Sequence, residues 1–245
     1  SVKEMLPSRE SYVAVVSGGV DSSLLAHYIV TLGQPEMLVA VNHIGKDLIS
    51  SDLSGFERSL GRHIDVLHID KAAYSAEIVR CQETSRSPLH SHSLVAQSLM
   101  STYVQSAGCR ILFGGEGADE YFGGYDAYLQ DTNGSHSYSP SPYLSYDLPE
   151  LDFIDDDPSI LQRDLADAWS EAQHAYLSVE ELQVRTALAM MYGDAAYQLP
   201  AVGLHSADLM SMSSSVETRS IFLRRKVLTF ALNLPIEARI NSRAS

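Results

Sequence analysis

Hydrophobic positions in this chain fall first into short solid runs and later into helical stripes. Runs at 12–16, 37–42, 63–69 and 110–113 are apolar and rich in Val, Ile and Leu, which predicts strands covered on both faces. Between them, apolar residues recur at helical spacing over 22–32, 51–60, 71–80 and 91–107, with Gly33, Gly61 and Gly108 where those helices should stop. This alternation predicts an α/β fold, a parallel sheet with flanking helices that binds ligands beyond the carboxyl ends of its strands. The pattern disappears over 126–158 into Ser, Pro, Tyr, Asn and Asp, then returns as helical stripes at 160–177, 179–191, 201–209 and 226–232. We therefore expect a sheet-bearing core over 1–125, an irregular acidic loop over 126–158 and a helical C-terminal part over 159–245 that completes the same domain.

The first strand empties into Ser17-Gly18-Gly19-Val20-Asp21-Ser22-Ser23, directly before an apolar helical stretch. Glycines without a Cβ allow a tight turn that presents backbone N–H groups, and the following helix start adds unpaired amides and the positive end of its dipole. Ser17, Ser22 and Ser23 supply hydroxyls, and Asp21 supplies a hard oxygen ligand for the Mg²⁺ that accompanies a polyphosphate. A Walker A loop needs a lysine after its second glycine, and no Gly-x-x-x-x-Gly-Lys-Ser/Thr occurs in the sequence. The segment instead resembles the Ser-Gly-Gly-x-Asp-Ser loop of the N-type ATP pyrophosphatases, which implies that the β and γ phosphates are held as the leaving group.

A second glycine turn follows the fourth strand candidate, reading Gly114-Gly115-Glu116-Gly117-Ala118-Asp119-Glu120-Tyr121-Phe122-Gly123-Gly124-Tyr125. It resembles the signature of the synthetase domain of asparagine synthetases and their relatives, the β-lactam synthetases. Further on, Asp208, Ser211 and Met212, then Ser215-Val216-Glu217-Thr218-Arg219 and Phe222-Leu223, are similar to a third stretch of the same family. The resemblance spans about 17 to 235 and implies an adenine nucleotide α-hydrolase-like fold. It also implies a ligase that adenylates a substrate carboxylate with ATP, releases pyrophosphate, and passes the acyl group to an amine.

The resemblance implies roles residue by residue. Asp21 and Asp119 are the implied Mg²⁺ ligands, facing each other if both turns end neighbouring strands; Asp119 also reads as a helix cap. Glu116 is the implied base for the amine, as in the asparagine type, whereas β-lactam synthetases resemble a tyrosine there; orienting the glycine loop is its other reading. Ser17, Gly18, Gly19, Asp21 and Ser22 would hold pyrophosphate, Gly114 and Gly115 would offer backbone groups to the AMP portion, and Val39 and Val41, with Asn42 a weaker candidate, would contact adenine.

Composition narrows the partners. A formal net charge of -14, from 17 basic and 31 acidic residues, suits neither tRNA nor an anionic membrane. Small-molecule carboxylate and amine substrates are expected, with a partner chain or a homo-oligomer left open. Cys81 and Cys109 form no metal-ligand spacing and read as free thiols of a reducing compartment. No apolar stretch approaches the roughly 20 residues of a membrane helix, and no signal segment opens the sequence, so a cytoplasmic protein is expected. Asn133-Gly134-Ser135 reads as a turn rather than a glycosylated sequon, and Asp155-Asp156-Asp157 as a solvated acidic turn. His90 and His92 do not share a helical face and read as surface or capping residues.

Some features depart from the family. The sequence reaches its first glycine turn by residue 17 without a glutaminase domain, so we expect an amine not drawn from glutamine within this chain. The family's C-terminal lysine motif does not follow Leu234-Pro235, which leaves Arg219, Arg224, Arg225, Lys226, Arg239 or a partner's residue to serve in its place. Ile221 and Arg224 replace the family's proline and aspartate, and Glu217 with Arg219 is expected either to shape the pocket or to touch substrate. The competing expectation is a non-catalytic or partner-dependent nucleotide-binding subunit of an amidotransferase.

Overall fold

A computed structural model describes residues 2–42, 53–86, 89, 91–125, 128, 167, 170–172 and 174–240. The expected readings of His90, Asn133 and Asp155 to Asp157, and most of the helix at 160–177, lie outside the described residues, as does the side chain of His92. The chain divides into two compact units, Ser1–Glu116 with Ala201–Leu228, and Gly117–Pro200 with Thr229–Ser245.

The first unit is built on a parallel sheet of β1 (Tyr12–Val15), β2 (Met37–Asn42), β3 (Ile64–His68), β4 (Ile111–Gly114) and β5 (Glu217–Ser220), in the order β3-β2-β1-β4-β5. Its helices are α1 (Val2–Met5), α2 (Val20–Leu32), α3 (Leu53–Leu60), α4 (Lys71–Ser85) and α5 (His92–Ser106), with a later helix at His205–Met212. Both faces of the sheet are covered, which is why its inner strands read as unbroken apolar runs. On one face Tyr12, Ala14, Leu38 and Phe113 join Leu25 and Ile29 of α2; on the other Val13, Val39 and Leu112 join Met100 and Val104 of α5. Phe113 is fully buried and meets the Tyr12 ring edge-on at 5.6 Å.

Local chemistry sets the helix ends. Asp70 caps α4 by accepting from the Ala73 amide at 2.7 Å, and Arg86, left-handed at φ 52°, ends it. Ser91 caps α5 by accepting from the Ser93 amide at 3.2 Å. Between these helices, Arg80 binds Glu77 at 2.6 Å and donates to the hydroxyls of Ser98 and Thr102 at 2.6 and 3.0 Å, so a half-buried charge ties α4 to α5.

The second unit contains α6 (Ala118–Phe122), a helix at Leu182–Gly193 and a short one at Ile236–Arg239. Its core gathers Tyr128, Ala187 and Met191 with Tyr125, Met190, Ile236 and Ile240 around it. The Tyr128 hydroxyl donates to Asp194 Oδ2 at 2.6 Å in a buried pair. Burial and the neighbouring carboxylate push the Tyr128 phenol well above its ordinary range, and burial raises Asp194.

Four strands and the helices between them match the expected pattern to within a residue or a few. The differences lie later. A break is expected between 191 and 201, yet the backbone stays helical there as a π-helix, Asp194–Leu204, with Pro200 inside it. Proline lacks an amide hydrogen, so Pro200 donates no bond to this helical ladder. β5 is also unforeseen as a strand, because Glu217, Thr218, Arg219 and Ser220 offer no apolar run. No described helix is long and apolar enough to cross a membrane.

Candidate active site

The strand order places the site. From the central β1 the chain winds outward through β2 to β3, then crosses back to β4 and on to β5, so the winding direction reverses between β1 and β4. Adjacent parallel strands leave a crevice at their carboxyl ends at such a reversal. The pairing of Tyr12 with Ile111 and Ala14 with Phe113 brings both glycine turns to that crevice. They are close: a Cβ on Gly115 would lie 3.9 Å from the Ser22 amide nitrogen.

The first turn is open. Ser17, Gly18, Gly19 and Val20 are exposed, and the space where a Gly18 Cβ would stand has no atom within 4 Å. Gly18 holds φ +88°, a left-handed conformation that favours glycine. Gly19 starts α2 without a side-chain cap, so the first amides of the helix remain available to an anion. The turn keeps its shape through its serines. The buried Ser22 hydroxyl donates to Gly19 O at 3.2 Å and accepts from the Ser17 amide at 3.0 Å, with the Ser17 hydroxyl 2.8 Å away. Ser22 is thus a brace within the turn, and the groups turned to solvent are the backbone and Ser17. Asp21 sits partly exposed in the first turn of α2.

The second turn is filled by its own side chain. The Glu116 carboxylate folds back over Gly114, where both of its oxygens would collide with a Cβ. Ser220, the cross-strand partner of Gly114, donates its hydroxyl to Glu116 Oε2 at 3.2 Å. In the second unit, Gly117 at φ +88° starts α6, and Asp119 lies in its first turn. The space beside Gly124 is taken by the Asp119 carboxylate, so this glycine too makes room for an acidic side chain.

The nucleobase candidates separate. Val39 is fully buried among Val13, Met100 and Leu112, so its side chain serves the core. Val41, partly exposed, and Asn42, the last residue of β2, stand nearer the strand's carboxyl end; Asn42 Nδ2 lies 3.4 Å from His68 Nδ1, and its Oδ1 is buried without a hydrogen bond. Several of the basic residues considered for the missing lysine are engaged. Arg219 binds Glu217 at 2.8 Å and donates to Met5 O at 2.8 Å, Lys226 pairs with Glu4 at 2.7 Å, and Arg239 reaches Tyr121 O at 3.5 Å. Glu217 and Arg219 therefore tie β5 to the end of α1, and the guanidinium holds the Glu217 carboxyl below its ordinary value. Ser220 was not among the residues the sequence singled out.

A parallel sheet with helices on both faces, and two glycine turns at its point of reversal, defines an α/β protein of the nucleotide-hydrolase-like class. The match to a family model is complete in length. The chain belongs to the asparagine synthase family, whose model covers residues 1–245. This bears out the resemblance carried by the glycine turns and supports ATP-dependent amidation in the general sense. No curated protein sequence matches the chain.

Proposed function

We propose that this protein is an AMP-forming carbon–nitrogen ligase, which activates a substrate carboxylate with ATP and joins it to an amine. The observation that carries the reading is the pair of unlike glycine turns on adjacent strands: one exposed and shaped for an anion, the other presenting a carboxylate beside it. The uncapped amides at the start of α2 would hold the β and γ phosphates of ATP, beside the Gly19 amide, which donates to the Ser17 hydroxyl at 3.4 Å. With these phosphates held as the leaving group, the substrate carboxylate oxygen attacks the α phosphorus and displaces pyrophosphate. Val41 and Asn42, and the backbone of Gly114 and Gly115, would flank the nucleoside.

The donor chemistry fits Mg²⁺. Among the described residues no group of three or more His, Cys, Asp or Glu could hold a metal, and Mg²⁺ commonly takes one or two carboxylates together with substrate phosphates. Asp21 and Asp119 are the carboxylates we assign to it. When bound, the ion neutralises charge on the departing pyrophosphate.

In the second half-reaction the amine nitrogen's lone pair forms a bond to the acyl carbon, and AMP departs with the electrons of the broken carbon–oxygen bond. The proton lost by nitrogen passes to Glu116, which acts as general base.

The test is turnover of ATP labelled at the α phosphate with a panel of carboxylates, supplied with ammonia, primary amines, glutamine or no acceptor. Carboxylate-dependent AMP and pyrophosphate are expected. ADP would refute the cleavage position, and nucleotide binding without turnover under every condition would favour a partner-dependent subunit.

A further inference from the structure

The Glu116 carboxylate has a partner that its own loop does not supply. Ser220 lies 104 residues away in sequence and reaches Oε2 at 3.2 Å, because β5 pairs with β4 in a register that sets it opposite Gly114. We infer that Ser220 is a positioning residue for the amine-capture step, its hydroxyl holding Glu116 folded over Gly114 with Oε1 left to receive the proton. The inference rests on the base role proposed for Glu116.

Three features of the geometry support this assignment. A glutamate side chain has three rotatable torsions, and holding it in one orientation costs rotamer freedom that a contact must offset. Ser220 is fixed already, since its backbone belongs to the sheet and its short side chain has one torsion before the oxygen. Gly114 removes the steric barrier from the same spot, so a missing Cβ and a present hydroxyl act together on one carboxylate. The hydroxyl occupies one oxygen only, and a carboxylate has lone pairs on both.

The experiment compares Ser220→Ala and Ser220→Thr with Glu116→Gln in the intact protein. Once a carboxylate that supports AMP formation is in hand, two rates are read: carboxylate-dependent exchange of pyrophosphate into ATP, and amide formation from the amine. We expect Ser220→Ala to lower kcat for amide formation about tenfold, as loss of a hydrogen bond to a charged group would, with a much smaller change in exchange. Ser220→Thr, which keeps a hydroxyl, should recover most of it. Full amide formation by Ser220→Ala, or equal loss in both rates, overturns the assignment. A second readout needs no substrate: in protein labelled with ¹³C at the glutamate carboxyl, the Glu116 resonance, identified by its loss in Glu116→Gln, should move in Ser220→Ala and return in Ser220→Thr. An unmoved resonance refutes the contact. Failure of every carboxylate to support AMP formation refutes the proposed ligase while this resonance still decides the contact.

Discussion

The two glycine turns at the end of the sheet use the same residue for opposite purposes. In the first, Gly18 stands in open space and its neighbours are exposed; in the second, Gly114 is buried and its missing Cβ is replaced by the Glu116 carboxylate. One turn leaves room for a ligand, and the other leaves room for a side chain of the protein. A glycine motif read as a binding loop can therefore be a seat for a side chain of the protein, and only the atoms around it tell the two apart.

The largest test of this comparison lies in the acidic residues beside each turn. Asp21→Asn or Asp119→Asn should lower Mg²⁺-dependent release of AMP by more than about 100-fold, since loss of even an outer-shell partner of a metal commonly costs 10- to 100-fold. Near-native rates from either variant would remove that residue from the metal site.

Gly114→Ala sharpens the contrast. The new methyl would meet the far end of a flexible side chain, so Glu116 should swing away with less than about 1 kcal/mol lost in stability. Amide formation should nevertheless fall at least about tenfold, the loss expected when a base leaves its place. Parallel losses in stability and turnover would show a packing role instead. Gly18→Ala should behave in the reverse sense: no neighbour is struck, yet φ +88° strains any residue with a Cβ by about 1 kcal/mol, visible in denaturant titration.

The smallest effect concerns the strand beside the second turn. Arg219 lowers the Glu217 carboxyl from its ordinary 4.5, so the ion pair's contribution is present above that pH and is lost as pH falls through the lower folded value. The Glu217 side chain is 57% exposed, so the contribution stays below about 1 kcal/mol. Denaturant titration at pH 6 and pH 3 should show Arg219→Ala losing that part of the pH dependence; an unchanged difference between the two pH values would assign the pair no energetic role.

How much could be read in advance differs by element. β1, β2, β3 and β4 were legible because a strand covered on both faces must be apolar throughout, and the helices between them because their buried faces recur at helical spacing. β5 was hidden by its own composition, since an edge strand carrying Glu217 and Arg219 has no hydrophobic signal to give. The glycine turns announced themselves through local spacing, but the contents of the second did not. Ser220 meets Glu116, 104 residues away, only because β4 and β5 pair, and no local pattern encodes that pairing. Val39 shows a related limit. Periodicity placed it in the strand, and its burial among Val13, Met100 and Leu112 follows from what the neighbouring elements bring to that face.

The pairing of β4 with β5 also has a temporal side. Phe113 and Gly114 acquire their neighbours Arg219 and Ser220 only after more than a hundred further residues have been synthesised. A nascent chain could assemble β1 to β4 early, with α2 and α5 laid against them, while the outer edge of β4 waits for its last partner. A ribosomal product that stops short of residue 217 would thus lack the hydroxyl beside Glu116, so on the role proposed for that carboxylate, competence in amide formation would mark translation carried past β5.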